Sequence, residues 1–438
     1  MTSLFQDARY ALRMLLKRPG VTAIAVVTLA LGMAGNTVIF SFLNAFFLRP
    51  MPFREPDRLV DLDETAPRWN LEYTGLSYTD FHSWRQQNRT FDGMAVWQSH
   101  SCTLSFKGDA ERVEGAWVTH DLLSVLGLRP TLGRVFTPEE DGPGGEKVAM
   151  VSQGLAARLF ANEDVLGKVL HVDREPYTVV GVLPAEKTLV DGAEVWMPLA
   201  KDPDDLTKGW YLRGVGRLKR GVTVATARDD LLAIHRGLVE NHRANENTFP
   251  KLTPITERMF GSTRPVLAIL MGAVGVVLLI ACGNVAAIML ARGLARWQEL
   301  GIRMSLGATP WRIARLIGME GIMLSGLAGV LGLCLGHWGL HALVNSLADR
   351  PPGWISFSFD IRTWLYALAM VAATALFGVF PTLRAIQTGN VQTASHSANR
   401  QATTSHARCR SLHSLVVAEV ALTLVLLVQA GLLVQAFR

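Results

Sequence analysis

Cysteine is scarce in this sequence, with four among 438 residues. Cys102 stands in a polar region, Cys282 and Cys334 fall inside apolar runs, and Cys409 lies in a polar linker. Thiols so scattered make no disulfide framework, and the region holding Cys102 has no second cysteine to bridge to. No Cys or His pair has zinc-ligand spacing. A phosphate-binding loop is missing as well. The nearest approach, residues 162–169, has Gly167-Lys168 but neither the leading glycine nor the trailing Ser or Thr, so no ATPase is expected within this sequence. With no Gly-x-Ser-x-Gly elbow either, the chain reads as no enzyme, without catalytic residues, metal or cofactor.

Charge is sparse, at 18% of residues, and its excess is small: 43 Lys and Arg against 37 Asp and Glu, a formal +6. The basic residues are not gathered into one aromatic-laced patch, which argues against nucleic acid as a partner. Many instead flank apolar runs, where anchoring at the cytoplasmic face of a membrane accounts for them. The 49% hydrophobic content averages a membrane part with a soluble part.

In residues 1–18, Leu4, Ala8, Leu12 and Leu15 share one helical stripe, with Arg9, Arg13, Lys17 and Arg18 around it. This predicts a basic amphipathic helix on the cytoplasmic membrane surface, with lipid as its partner. The n-region of a signal anchor fits the same charges. Residues 19–48 form a first span. Its uncharged run from Val21 to Leu48 exceeds the roughly 7–15 residues of a cleaved signal core and suffices to cross, since about 20 apolar residues do.

Residues 49–263 turn polar and are rich in Gly and Pro, reading as a soluble α+β domain. Strands are expected at 112–119, 147–152, 168–172, 177–182 and 211–218, each ending near turn residues. Helices are expected at 78–88 and about 223–243, the second with Ala227, Leu231, Ile234 and Leu238 as its apolar face. The region is large enough for one core or two small ones. His235 and His242, seven apart, read as solvated surface residues, because no acidic third ligand stands with them to make a metal site.

Three further spans follow at 264–292, 311–347 and 361–384, with a short outer loop at 348–360. A cytoplasmic linker covers 385–411, and a fifth apolar segment covers 412–438. The predicted fold is an integral membrane α-helical bundle, four spans plus a fifth at the C-terminus, with a large α+β domain inserted after the first. The third span carries Gly321, Ser325 and Gly329 at four-residue spacing, then Gly332 and Gly336. Small residues so placed let helix backbones approach closely; packing within the chain and a dimer seam both fit. Glu320 and Glu419 are acids within apolar runs and so functional candidates, although Glu320, near Arg312 and Arg315, also suits a structural ion pair. His337 and His341 read as interfacial. With the basic N-terminus cytoplasmic, residues 49–263 lie outside.

Between the second and third spans, residues 293–310 form a polar island. Leu294, Trp297, Leu300 or Gly301, and Met304 recur at helical spacing, while Glu299 and Arg303 stand four apart in the order that supports a helix. Gly307 suits a left-handed stop, and Thr309-Pro310 suits the cap and first position of the next helix. A short lateral helix at the cytoplasmic face follows. An ordinary helical hairpin obeying the positive-inside rule, with Arg292, Arg296, Arg303, Arg312 and Arg315, fits the pattern too.

The run Arg296-Trp297-Gln298-Glu299-Leu300-Gly301-Ile302-Arg303-Met304-Ser305-Leu306-Gly307-Ala308 resembles the signature of the FtsX/MacB/LolC-type ABC transporter permeases. In that family it is the coupling helix that docks on the ATPase. The resemblance therefore implies Arg296, Trp297, Glu299, Leu300, Arg303 and Leu306 as the ATPase contact. Residues 53–60, 126–136 and 175–182 look like the MacB-like periplasmic core. The N-terminal run Asp7-Ala8-Arg9-Tyr10-Ala11-Leu12-Arg13, with Lys17-Arg18-Pro19-Gly20 and Gly35-Asn36-Thr37-Val38-Ile39-Phe40-Ser41, is similar to the acidobacterial duplicated orphan permease subgroup. On that resemblance the chain is a first half plus the start of a second.

The resemblance implies a permease subunit in the bacterial inner (cytoplasmic) membrane, for export or mechanotransmission, coupling a separate MacB/LolD/FtsE-like ABC ATPase to movement of a periplasmic domain. It implies a periplasmic adaptor or envelope enzyme as a further partner, and a pseudo-dimer or homodimer. The alternative is a non-transport scaffold whose periplasmic domain regulates an envelope enzyme, as in FtsX-like relatives. A secondary transporter ranks last, because inverted repeats and broken helices are not what the pattern offers. The substrate is not legible.

Overall fold

The structure is a computed structural model that describes residues 2–388 apart from 107–108, 161–163, 185–188, 191, 203–208, 242–243, 296–301, 303–308 and 347–354, together with isolated positions between 417 and 428. It divides into two compact units. One comprises Met1–Arg49, Thr263–Ala348 and Phe357–Arg438; the other comprises Pro50–Ser262 and Asp349–Ser356.

The chain begins with helices α1 (Thr2–Leu16) and α2 (Pro19–Leu43), and Pro19 opens α2 at a first-turn position, where its missing N–H costs nothing. The last turn of the first span, Asn44–Leu48, is π-helical. The inserted unit then carries α3 (Tyr78–Gln87), α4 (Leu122–Leu126), α5 (Gln153–Phe160), α6 (Val224–Glu240) and α7 (Ile255–Phe260). Ser77 and Thr223 cap α3 and α6, each side chain accepting the amide three residues on. The remaining long helices are α8 (Thr263–Ala295), α9 (Pro310–Ser346) and α10 (Ile361–Thr388).

Among the described residues, four helical segments are long and apolar enough to cross a membrane: Pro19–Leu48, Thr263–Met289, Trp311–Ser346 and Ile361–Phe380. Their shared core joins Leu29 and Met33 of α2, Ala281 and Val285 of α8, Ile317, Leu324 and Ala328 of α9, and Met370 and Val379 of α10. Leu15 of α1 joins Ile313 and Ile317 in the same cluster. The described buried residues of α1 are Ala11, Met14 and Leu15, so Leu15 keeps its place in the expected stripe while Leu12, 42% exposed, leaves it. The expected fifth span, 412–438, and the linker before it lie almost wholly outside the described residues.

The inserted unit is built on one mixed, ten-stranded sheet. Its strands are β1 (Leu59–Thr65), β2 (Phe91–Phe106), β3 (Asp109–Val118), β4 (Leu132–Gly133), β5 (Val148–Ser152), β6 (Val169–Val172), β7 (Glu175–Leu183), β8 (Val195–Pro198), β9 (Arg213–Leu218) and β10 (Phe249–Pro254). Their order is β10-β1-β9-β2-β3-β8-β5-β7-β4, with β6 pairing β2 and β7. The β3–β8 and β5–β7 pairs are parallel and the others antiparallel. All five residues of β5 are buried, as a continuous Val-Ala-Met-Val run covered on both faces should be. β1 and β10 run side by side, with Val60 opposite Pro254 and Thr65 opposite Phe249.

Among the described residues, two hydrophobic cores lie along this sheet. One gathers Val60, Leu62, Phe81, Trp84, Met94, Leu231 and Leu238 beneath α3 and α6. The other gathers Leu104, Val151, Leu155, Phe160, Val179 and Val195 with α5. Trp117 of β3 packs against both. In β9 the backbone passes close to Phe91, whose ring lies 2.5 Å from where a Cβ on Gly216 would fall, so that strand position takes no side chain.

The strands foreseen at 112–119, 147–152, 168–172, 177–182 and 211–218 correspond to β3, β5, β6, β7 and β9, and the helices foreseen at 78–88 and 223–243 to α3 and α6. One residue on α6 corrects the sequence reading. His235 is buried at 2% exposure, taking its place in the core stripe with Ala227, Leu231 and Leu238, while Ile234 is only half-buried. Burial requires its ring to face polar groups from elsewhere in the fold, which a helical-wheel pattern does not contain.

Candidate functional site

The membrane unit carries an unusual amount of polar chemistry on the buried face of its first span. Asn36, Thr37, Ser41 and Asn44 are all buried. Thr37 and Ser41 return their hydroxyls to the carbonyls of Met33 and Thr37, four residues back, at 2.8 Å each, the usual way a hydroxyl is satisfied inside a helix. Asn36 reaches further. Its amide donates to Gly32 O at 2.9 Å and to Val274 O of α8 at 2.8 Å, and its carbonyl oxygen accepts from the Tyr366 hydroxyl of α10 at 3.4 Å. The Tyr366 ring stacks on Phe40, centroids 4.0 Å apart and nearly parallel. One asparagine thus ties the first span to the second and the fourth.

A second polar group lies at the π-helical end of the first span. Asp360 caps α10, accepting from the amide and hydroxyl of Thr363 at 3.0 and 3.1 Å. Its other oxygen accepts from Asn44 at 2.9 Å and from Arg49 Nε at 3.3 Å. Arg49 also donates to the carbonyl and hydroxyl of Ser358, both at 2.9 Å, and Arg362 donates to the carbonyl of Leu48. Carbonyls at a helix end need such outside donors. Burial opposes the Asp360 charge, but the Asn44 amide, the Thr363 donors and Arg49 outweigh it and hold the carboxyl at about 2.

The small residues of the third span sit where backbones meet. A Cβ on Gly332 would fall 2.9 Å from Met33 Cβ and 3.0 Å from Ala30 O, and one on Gly336 would lie 3.5 Å from Ala34 O. Gly321 and Gly329 face Val379 and Val371 of α10 with no room for a methyl group. Ser325, buried between them, returns its hydroxyl to Gly321 O at 2.7 Å. Gly32 of the first span approaches the second in the same way, with Leu278 Cδ1 3.2 Å from the position of a Cβ. Between apolar helices in lipid, where burial alone gives little preference for helix over tail, such close approach supplies the packing.

Arg296, Trp297, Glu299, Leu300, Arg303 and Leu306 of the polar island lie outside the described residues, as do Glu419 and His242. Glu320 is half-buried on α9. His337 and His341 touch edge to face, centroids 4.6 Å apart, with Phe359 against His337. Among the described residues no group of three or more His, Cys, Asp or Glu is arranged to hold a metal. The Asn36 tie and the Asp360 cluster escape a reading of hydropathy and motif. The sequence signal for the first is an amide within a run otherwise fit to face lipid, and for the second an acid directly before the fourth span.

Four described helices long and apolar enough to cross a membrane, with a mixed-sheet domain inserted between the first and second, define a polytopic membrane protein. Two family models then match successive parts of the chain: the MacB-like periplasmic core domain over residues 22–234 and the FtsX-like permease C-terminal region over residues 271–389. The chain thus carries a MacB-like periplasmic core domain followed by an FtsX-like permease region, and its relatives are ABC transporter permeases.

Among relatives, the macrolide export ATP-binding/permease protein MacB of Wolinella succinogenes is 28% identical over 264 residues, covering 57% of this chain and 39% of that protein. The uncharacterized ABC transporter permease YknZ of Bacillus subtilis is 27% identical over 274 residues, covering 59% of this chain and 62% of that protein. The matched part is thus about two fifths of that macrolide exporter and somewhat under two thirds of YknZ. The crystal structure of the periplasmic region of MacB from Actinobacillus actinomycetemcomitans aligns with 47% of this chain and 92% of its own, at 16% identity and a TM-score of 0.36. The extracellular domain of YknZ aligns with 44% of this chain at 17% identity and a TM-score of 0.35.

Proposed function

We propose that this chain is a permease subunit that couples a separate ABC ATPase to movement of its inserted domain on the far side of the membrane, for export or mechanotransmission. The observation that carries this reading is the bond from Asn36 to Val274. It joins the two helices that flank the inserted domain in sequence, and a motion applied to one is thereby shared by the other. The polar island directly follows the second of these helices, which makes it the natural handle for an ATPase. MacB, whose name joins ATP-binding and permease functions, supports the pairing.

On this reading the N-terminus is cytoplasmic and the sheet domain periplasmic, where it meets an adaptor or an envelope enzyme. Arg296, Trp297, Glu299, Leu300, Arg303 and Leu306 contact the ATPase. The chain resembles the acidobacterial duplicated orphan permeases, and a pseudo-dimer or a homodimer would provide the two-fold partner that an ATPase dimer requires.

The test is purification of the tagged chain in mild detergent from its host, with mass spectrometry of what stays bound. An ABC ATPase is expected to co-purify, and to be lost when Glu299 and Arg303 are both changed to Ala. Retention of the ATPase by that double variant would overturn the coupling role. Recovery of a cell-wall hydrolase with no ATPase would favour a regulatory scaffold.

A further inference from the structure

Strand β1 carries Glu64 into the first core of the sheet domain with no solvent exposure. Its carboxyl accepts from the indole Nε1 of Trp210 at 3.0 Å and from the Ser77 amide at 3.4 Å, and it lies within hydrogen-bonding reach of Asp80. Asp80, in the first turn of α3 and 3% exposed, accepts from the Ser77 hydroxyl at 2.6 Å through Oδ2. Its Oδ1 has no hydrogen-bond partner and faces His235 Nδ1 at 3.7 Å. Neither ring nitrogen of His235 is hydrogen-bonded, although the side chain is buried on α6. Two carboxyls and an imidazole from three elements therefore meet in a site closed to water.

The surrounding charges are committed elsewhere. On β1, Asp63 accepts from the amides of Glu64, Thr74 and Gly75, and Asp61 pairs with Arg258 of α7 at 3.1 Å. On β10, Lys251 pairs with Glu72 and covers the Tyr73 ring; on β9, Arg213 lies over Trp97. On α3, His82 bonds Gln86 and Arg85 pairs with Asp121. On α6, Asp230 accepts from Arg89 and Thr90, and Arg228 pairs with Asp229. The Glu64–Asp80 pair is left to satisfy itself.

Two carboxylates at hydrogen-bonding range in a dry site do not both ionise at neutral pH; one keeps a proton and donates it to the other. We propose that Glu64, Asp80 and His235 form a proton-operated joint: while the pair holds its proton, Glu64 donates to Asp80 and β1, α3 and α6 stay locked together. Loss of the proton sets two buried charges against each other and loosens α6. Burial, and then the neighbouring Asp80, hold the Glu64 carboxyl well above the ordinary carboxylate range. The sign follows: the folded domain binds this proton more tightly than the unfolded chain does. Stability from the joint is therefore present on the acid side and falls as pH rises through the pair's upper ionisation. If the domain is periplasmic, as proposed above, its stiffness tracks the acidity of that compartment.

The test is hydrogen–deuterium exchange of the whole chain in detergent, followed from about pH 5 to pH 9 and corrected for intrinsic exchange. In the wild type, protection of residues 224–240 should fall by about tenfold per pH unit while the folded pair still holds a proton that the open state has lost, and level off above the pair's upper ionisation. The E64Q variant, which keeps a donor toward Asp80 without a titrating proton, should be flat above the Asp61 titration at about 6. Parallel slopes in both proteins would overturn the proposal. Should E64Q fail to fold, D80N provides the same comparison. Infrared spectroscopy of the wild type gives an independent check: a buried protonated carboxyl band should be present at neutral pH and vanish as pH passes through the pair's upper ionisation, where the fall in protection levels off, and its absence at neutral pH would also overturn the proposal.

Discussion

Asn36 of the first span donates its amide to the carbonyl of Val274 on the second, 2.8 Å away. That carbonyl lies in the apolar run of the second span, and the bond spans 238 residues of sequence. Asn36→Leu keeps the volume of the side chain and removes the tie. The detergent-solubilised protein is expected to lose about 1 kcal/mol of stability, within the ~0.6 to ~1.7 kcal/mol measured for interhelical polar bonds in membranes. Thermal or SDS-induced unfolding would show it, and an unchanged midpoint would mean that the bond carries nothing.

Glycines on the third span are not equivalent. Gly332→Leu drives a side chain into Met33 and Ala30, whereas at Gly326 a Cβ meets nothing within 4 Å. The first change is expected to cost roughly 1–3 kcal/mol through overpacking, and Gly326→Ala to be neutral or slightly stabilising through the better helix propensity of alanine. Paired melts of the two variants check this directly. Equal effects would remove the distinction.

Asp360 is held at about 2 by Asn44, Thr363 and Arg49 against the cost of its burial. A depressed carboxyl contributes stability that is present above its unfolded value, near 3.9, and that is lost as pH falls through about 2. Asp360→Asn should destabilise the membrane unit at neutral pH and flatten its acid sensitivity in that window. Melting temperatures measured across the acid range for both proteins test the sign.

Asp61 behaves in the opposite sense. Burial first, with Arg258 opposing, raises its carboxyl to about 6. The folded state therefore binds the proton more tightly, and stability from this group is present at low pH and lost as pH rises from about 4 through about 6. Asp61→Asn should remove that decline while leaving intact any transition at higher pH. A pH series of melts, wild type against variant, separates the two.

The spans were legible because hydropathy needs only local sequence: the run from Val21 to Leu48 has no charge at all. β5 was legible for a similar reason, being five buried residues in succession. β1 was not, because Leu-Val-Asp-Leu-Asp-Glu-Thr looks like a half-solvated edge. Six of its seven residues are buried, and its acids find partners such as Arg258, 197 positions from Asp61, and Trp210, 146 positions from Glu64. β2 was hidden likewise, since its first half pairs with β9 and its polar second half with β3, and β9 is a strand that only the fold brings there. His235 and Asn36 were misjudged or passed over because each is satisfied, or left in need, by residues on other elements.

The antiparallel pairing of β1 and β10 sets Val60 beside Pro254, so the chain comes into the sheet domain and leaves it at neighbouring points on one sheet. A load that pulled these two points apart would act on the β1–β10 hydrogen bonds one after another, as on a zipper, and not on all of them together in shear. The domain is mechanically weak to separation of its two tethers and strong when both move in step. A linkage such as Asn36 to Val274, which makes the two preceding and following helices travel together, is the arrangement under which such a domain can be displaced repeatedly without being unravelled.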